Sequence, residues 1–406
     1  MFVEIILCTI IGTCVGILTG LTPGIHINLV SVLVVSFSPV LLKYFSPVSL
    51  GVFIVSMAIT HTFLDALPGI YLGAPDESQA LNVLPGHRML LKGEGHNAVK
   101  LTIIGSLGCF VLSFLLVPLT IMFMRYAYPY VRNSIGWILI VIMAYMILKE
   151  RKLSKILNAT LMFSIAGVFG LVVLNIPTLN QPLFSLLSGL FGISLLLVSL
   201  MDKTSIPQQK PDVRLEVDHV VLVKSTFAGT FVATLAGFLP GFGSSQAAIL
   251  GQQLVSFGKD IGDKGFMIMV GGINTVNMLT SIAAAYVIDK ARNGAILAVI
   301  KIIERIDMTR MIIFLFALLV AAGISTILSL RISRVFSILI TKVNYTALVS
   351  TIMGLIVLLT IYFDGILGIC VLVTATAIGI CASKMNVGKN HLMGCLIVPV
   401  ICYFVI

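Results

Sequence analysis

Hydrophobic positions in this chain fall in long runs rather than in the alternating or one-faced patterns of water-soluble strands and helices. Runs comparable to the roughly 20 residues that cross a bilayer lie near 3–22, 25–42, 48–68, 98–124, 134–148, 156–174 and 183–201. They return near 220–239, 242–257, 265–288, 309–330, 335–362, 365–383 and 391–406, giving seven segments per half. The one sustained polar stretch, Asp202 to Lys224, carries Pro207, Pro211 and mixed charges. The pattern divides the chain into a first membrane repeat (1–201), a cytoplasmic linker (202–223) and a second membrane repeat (224–406).

The same punctuation interrupts both halves. Gly20-Leu21-Thr22-Pro23-Gly24-Ile25-His26-Ile27-Asn28 breaks the first, and Gly237-Phe238-Leu239-Pro240-Gly241-Phe242-Gly243-Ser244-Ser245-Gln246 breaks the second. Proline withdraws a backbone donor, and glycine permits angles that other residues avoid. In hydrocarbon an unpaired backbone group is costly, so such breaks belong where protein or a watery cavity receives them. Setting Pro23 on Pro240 also pairs Gly12 with Gly229, Gly20 with Gly237 and Gly24 with Gly241. Ile59-Thr60-His61-Thr62-Phe63 then lies over Ile273-Asn274-Thr275-Val276-Asn277 after a short gap. This predicts an all-α polytopic membrane protein of two inverted repeats, about seven segments each, with Pro-Gly-broken helices or re-entrant hairpins meeting near the midplane.

Composition agrees: 58% of the 406 residues are hydrophobic and 10% charged, where soluble domains carry about 25% charged residues. The net charge of +10 does not indicate nucleic-acid binding, because Lys and Arg lie mostly in short loops between apolar runs. There they set orientation against the membrane. If the basic loop 149–155 is cytoplasmic, alternation places 18 Lys and Arg inside and 8 outside, with both termini outside. An odd number of segments per half then makes the repeats inverted. Five of the outside charges fall in 289–310, where Ala291 to Asp307 reads as an amphipathic helix lying in the interface. All seven cysteines sit in apolar segments without Cys-x-x-Cys spacing, as small hydrophobes rather than a framework of bridges. The N-terminus lacks the basic region of a signal peptide, so the first segment is expected to be retained.

Each Pro-Gly break should leave a half-helix whose N-terminal N–H groups and dipole attract anions. Thr22, His26 and Asn28 surround the first break, and Gly243, Ser244, Ser245 and Gln246 the second. Pro23, Gly24, Pro240 and Gly241 would shape this substrate site. A single break would be read as a packing kink; two matched breaks, each followed by polar residues, favour a site. His61 and Asp65, four residues apart, share a helical face. Asp65 is the one acid well inside an expected span, which makes it a functional candidate. It either binds sodium or exchanges a proton, or it serves the structure by pairing with His61 or capping the turn before Pro68-Gly69. Asn274 and Asn277 stand at the matching place as the other ion-coupling candidates. Thr60 adds a hydroxyl, and Thr280 is expected to bond its own helix.

The stretches 67–78 and 85–96 read as loops beside the site, with Arg88 and Lys92 as solvated charges. His87 and His96 lack the spacing and third ligand of a zinc site; no metal is expected beyond a sodium site. No P-loop, Gly-x-Ser-x-Gly elbow or His-Glu-x-x-His is present, so neither ATP hydrolysis nor hydrolase chemistry is indicated.

These motifs resemble the TctA family, the large membrane permease of tripartite tricarboxylate transporters, whose pattern places Gly-x-x-x-Gly-x-x-Pro-Gly in each half. Gly16 through Gly24 fits it fully; Ala233 replaces the first glycine before Gly237, Pro240 and Gly241, and Gly243 continues Pro-Gly-x-Gly. Ala74-Pro75-Asp76-Glu77-Ser78, Pro85-Gly86-His87-Arg88 and Lys92-Gly93-Glu94-Gly95 look like a divergent form of a second family stretch. The resemblance implies ion-coupled uptake of an organic acid anion, with a soluble substrate-binding protein and a small membrane subunit as partners.

The expected function is a secondary active permease of the cell membrane for a small organic anion, a carboxylate favoured, coupled to sodium or protons. It needs no cofactor, and its partners are membrane lipid and the anionic substrate. The alternative is a translocase of a polyprenyl-phosphate-type lipid, which the same anion physics would serve and which a wide apolar groove open to lipid would favour. An intramembrane enzyme using His26 or His61 as base lacks a second catalytic partner.

Overall fold

The computed structural model describes residues 2–22, 27–72, 83–131, 134–150, 152–201, 207–238, 244–256, 261–289, 291, 293–340 and 345–405. The first half builds α1 (Phe2–Leu21), α2 (Ile27–Leu41), α3 (Pro47–Leu64), α4 (Val83–Leu90), α5 (Gly95–Leu115), α6 (Val117–Val131), α7 (Ile135–Leu148), α8 (Leu153–Leu174), α9 (Pro182–Leu187) and α10 (Ser194–Met201). The second builds α11 (His219–Phe238), α12 (Ser244–Ser256), α13 (Gly262–Ile288), α14 (Gly294–Ile303), α15 (Met308–Ile340), α16 (Tyr345–Lys384) and α17 (Gly394–Val405). Among the described residues, eight helices are long and apolar enough to cross a bilayer: α1, α3 with its continuation to Leu72, α5, α8, α11, α13, α15 and α16. Phe2, Leu115, Tyr126, Trp137, Val168 and Ile366 stand well exposed on the outer surface. Such a surface suits hydrocarbon, and the protein is a multi-pass membrane protein.

The helices that follow the two Pro-Gly breaks are short: α2 has 15 residues and α12 has 13. At 1.5 Å per residue neither reaches the roughly 30 Å of a hydrocarbon core.

Several boundaries differ from the hydropathy reading, each for a local reason. Pro85-Gly86-His87-Arg88 forms the helix α4 rather than a loop. Pro85 lies in its first turn, where proline is tolerated, and Gly86 packs against Ile70 so closely that a Cβ there would sit 2.6 Å from that side chain. Helix α15 runs unbroken past Arg331 and Arg334, which have neither proline nor glycine beside them; Arg334 reaches out to Asp212 at 2.7 Å. Helix α14 is confined to Gly294–Ile303, with Ala295, Ile296 and Val299 buried against α2 and α3 and Leu297 exposed. Helix α16 is two helices joined at Gly365 (φ 62°, ψ −150°), a conformation that glycine alone adopts readily.

Asp364, immediately before that joint, is the second buried acid among the described residues and falls in the gap between the apolar runs 335–362 and 365–383. Its Oδ1 accepts from the backbone N–H groups of Asn180 (2.8 Å) and Gln181 (2.7 Å), and its Oδ2 from Ser185 Oγ (2.7 Å). It therefore holds the entry to α9.

Described residues of the linker form a strap rather than a free tether. Lys210 N donates to Gly93 O (2.9 Å), Gly95 N to Gln209 Oε1 (2.9 Å), and Gln209 Nε2 to Leu90 O (2.9 Å). Lys264 Nζ reaches Glu216 O (2.9 Å), and the Arg334–Asp212 pair adds α15.

The halves interlock through small residues. A Cβ on Gly105 of α5 would collide with the Ile268 carbonyl of α13, one on Gly271 with the Thr102 carbonyl, and one on Gly272 with Cys109. Ser106 Oγ donates to Gly271 O (3.1 Å) across the same contact. Small residues let helix backbones approach in lipid, where burial of apolar surface gives no drive.

Candidate functional site

Helices α1 and α3 pack along Gly12, Gly16 and Gly20. Cβ atoms there would meet the Phe53 carbonyl, Thr60 Cβ (2.6 Å) and Leu64 Cβ (2.8 Å) in turn. Helices α11 and α13 repeat the arrangement: Gly229 faces the Met269 carbonyl (3.0 Å) and Gly237 faces Thr280. The glycines keep the spacing that pairs Gly12 with Gly229 and Gly20 with Gly237. Their neighbours, however, place Phe53 over Met269 and Leu64 over Thr280, two residues away from the register read off sequence identity. In this register His61 falls over Asn277. Thr280 does not bond its own helix: its Oγ1 has no partner among the described residues, and its Cβ packs on Gly237.

Glycine packing carries the candidate ion-coupling residues into the interior. His61 (5% exposed) and Asp65 (3% exposed) lie on the last turn of α3, which ends as Pro68-Gly69 converts the helix to a π turn over Pro68–Leu72. The Asp65 N–H donates to His61 O (2.9 Å), so the residue caps its helix. Its carboxylate reaches the other half, where Asn274 Nδ2 of α13 donates to Asp65 Oδ2 at 2.6 Å. His61 Nδ1 lies 3.2 Å from Thr19 Oγ1, one turn before the first break. Thr62 Oγ1 meets Thr275 Oγ1 at 3.4 Å. Asn277 stands one turn further along α13 and accepts from Ser281 Oγ at 3.5 Å. Thr60 Oγ1 accepts from Ser325 Oγ of α15 (2.9 Å), so that helix joins the cluster. A carboxylate, an amide and several hydroxyls in one buried place supply the oxygen atoms a hard cation takes, and the carboxylate is also a group that can exchange a proton.

Of the substrate-site residues expected from sequence, Pro23, Gly24, His26, Pro240, Gly241 and Gly243 lie outside the described residues. Asn28 belongs to α2 and Ser245 and Gln246 to α12, with their side chains outside the description; Ser244 opens α12 and is half-buried. Asp76 and Glu77 also fall outside it. Thr19, Thr62, Thr275 and Ser325 were not singled out, since hydroxyls are common in membrane helices and nothing local marks the ones that face each other.

Around this centre, other polar residues are fixed. Arg88 is exposed, as expected of a solvated charge, and pairs with Asp263 at 3.0 Å. His87 is buried, and loss of solvent holds its imidazole below the usual histidine range although a backbone hydrogen bond with Ile70 opposes this. His96 Nδ1 lies 2.9 Å from Ser333 Oγ, which also meets Tyr71 Oη at 3.1 Å.

The sequence matches the Tripartite tricarboxylate transporter TctA family over residues 6–394. It is 29% identical over 410 residues to "Uncharacterized protein MJ1079" of Methanocaldococcus jannaschii, covering 98% of each chain. No solved structure matches it. Residues 6–394 take in the glycine-packed helix pairs, both Pro-Gly breaks and the Asp65–Asn274 contact, and the chain belongs to the TctA family of tripartite tricarboxylate transporters.

Proposed function

We propose that this chain is a secondary active permease for a small organic carboxylate, coupled to a cation at the Asp65 cluster. The carrying observation is that Asp65 and Asn274, from opposite halves and 209 positions apart, share one short, partly buried hydrogen bond. In two-repeat transporters, substrate and ion sites lie where the repeats meet, beside interrupted helices. A cation or proton that binds the carboxylate competes with the Asn274 amide and so changes how the halves hold each other. The anion would lie at the N-termini of α2 and α12, with Pro23, Gly24, His26 and Asn28 on one side and Pro240, Gly241, Gly243, Ser244, Ser245 and Gln246 on the other. Inverted repeats and a division at residues 202–223 belong to this reading, supported by the matched packing of α1–α3 and α11–α13. A small membrane subunit and a soluble binding protein are its expected partners.

A second reading, translocation of a polyprenyl-phosphate-type lipid, is favoured by one feature. A cavity of about 500 Å³ opens between α5, α6 and α11, lined by Leu112, Leu116, Phe123, Phe227, Phe231 and neighbours. Its lining has threonine hydroxyls but no charged side chain. It suits an acyl or prenyl chain and offers a phosphate little.

Thermal stabilisation of the purified protein by di- and tricarboxylates and by polyprenyl phosphates, each with and without sodium, tests both readings. A ligand at 100 times its Kd stabilises by roughly 2.7 kcal/mol. Stabilisation by a carboxylate supports the permease; stabilisation by the lipid phosphate alone overturns it.

A further inference from the structure

A second set of ionisable groups, with His391 buried and Lys389 half-buried, lies away from Asp65. A 3₁₀ turn over Lys389–Met393 links α16 to α17 and packs against α8, α16 and α12. Lys389 Nζ donates to Ser194 Oγ at 3.0 Å, while Ser194 donates to Leu190 O at 2.6 Å. Ser194 is fully buried, at the junction where the π segment Ser188–Ile193 passes into α10. That segment is pressed onto α16: a Cβ on Gly379 would strike the Leu190 carbonyl and sit 2.6 Å from Ser194 Cβ. The ammonium is thus led into a crevice between α10 and α16 and meets a hydroxyl there.

Among the described residues, no carboxylate lies within ion-pair distance of Lys389. Glu150, the acid nearest the turn, engages His391 instead, with Oε1 3.7 Å from Nε2. His391 is 1% exposed, and its Nδ1 has no partner among the described residues. One turn therefore brings in a cation and a donor–acceptor ring with incomplete partners. Burial of a charge without a counter-charge is costly, and proteins retain it where a ligand supplies the missing charge. Loss of solvent pushes the Lys389 ammonium down to about 8, in keeping with the absent counter-charge. Two further features mark the place: π segments recur at functional sites, and the turn packs on α12, the helix that follows the second Pro-Gly break.

We propose that Lys389, with Ser194 beside it, forms an oxyanion subsite that receives a carboxylate group of the transported anion next to α12. This rests on the carboxylate-permease reading. Lys389 supplies a positive charge, and Ser194 fixes the direction of the ammonium. Arginine keeps the positive charge but replaces the compact ammonium by a larger planar fork, and methionine removes the charge altogether.

The test compares wild type, Lys389→Met and Lys389→Arg by thermal shift in detergent, with citrate, succinate and a polyprenyl phosphate as separate probes. Without ligand, Lys389→Met is expected to melt at or above wild type, because a half-buried charge without a counter-charge has been replaced by an apolar chain. Its apparent affinity for the carboxylates should fall about ten- to a hundredfold, the scale of one charge-assisted hydrogen bond, with Lys389→Arg intermediate. A Lys389→Met protein that melts lower and keeps the full carboxylate response overturns the subsite and leaves the permease reading standing. A wild type stabilised by the lipid phosphate but by neither carboxylate overturns that reading instead. Loss of the lipid response in Lys389→Met would then assign the subsite to a headgroup phosphate, and its persistence would remove the subsite altogether.

Discussion

Asn274 donates to Asp65 across 209 positions of sequence, at 2.6 Å, and in doing so joins the end of α3 to the middle of α13. The bond is charge-assisted when the carboxylate is ionised; Asp65 is buried and Asn274 half-buried. Replacing Asn274 by Ala removes one donor from a buried carboxylate. The expected cost is about 1.5–3 kcal/mol, read as a lowered Tm, together with loss of transport. Asp65→Asn keeps the shape and removes the charge, so the protein should fold while transport loses its dependence on the sodium or proton gradient. Unchanged ion dependence in reconstituted Asp65→Asn would remove Asp65 from coupling.

The glycine contacts make a sharper structural prediction. Gly16→Ala places a Cβ 2.6 Å from Thr60 Cβ and against the Met57 carbonyl, so α3 must shift together with His61 and Asp65. Overpacking of this kind costs about 1–3 kcal/mol, and transport should fall further than stability does. Gly323 of α15 has nothing within 4 Å of its would-be Cβ. Gly323→Ala should therefore be neutral or stabilising by up to about 1 kcal/mol, since alanine is the better helix former. Equal melting temperatures for the two variants would contradict the close approach of α1 and α3.

Asp364 has a purely structural assignment. Asp364→Ala leaves the N–H groups of Asn180 and Gln181 and the Ser185 hydroxyl without their shared acceptor. A loss of about 2–3 kcal/mol is expected from charge-assisted bonds and a lost cap. Folded protein recovered from membranes should drop, while the KM of what remains stays unchanged. A raised KM would place Asp364 in the transport cycle.

His87 predicts a direction with pH. Its folded imidazole is held below the unfolded value of about 6.5, so the unfolded chain binds the proton more readily. Its contribution is intact above about pH 6.5 and is lost as pH falls from there towards the lower folded value. His87→Gln should flatten the acid side of a stability-versus-pH curve relative to wild type. Superimposable acid limbs would contradict the burial of His87.

Much of this was legible in the chain because membrane helices announce themselves by length and because glycine spacing is conserved between the two α1–α3-like units. The Pro-Gly breaks themselves lie outside the described residues; the helices described after them, α2 and α12, have 15 and 13 residues. His61, Asp65 and Asn274 stood out as polar groups in apolar runs, and the structure gathers them. What sequence could not supply was partnership. Asp364 lay at the boundary of two apolar runs and looked like a loop acid, because its acceptor role depends on backbone N–H groups 183 and 184 positions away. Arg331 and Arg334 suggested a loop where α15 continues, since hydropathy records their charge but not the reach that takes Arg334 out to Asp212. The two-residue change of register between α3 and α13 shows the same limit: packing against glycine sets the alignment, and side-chain identity around it has drifted.

The interlocking of α5 with α13 also bears on how the protein is made. Ser106 of α5 finds its acceptor at Gly271, 165 residues later. At synthesis rates of about 5–20 residues per second, that face of α5 waits roughly 8–33 s in the bilayer before its neighbour exists. A surface of glycine and hydroxyl groups left open for so long invites pairing with the wrong helix. For that interval the packing face of α5 stands open to whatever helices are already inserted, and the order of synthesis rather than the finished contact decides what it meets first.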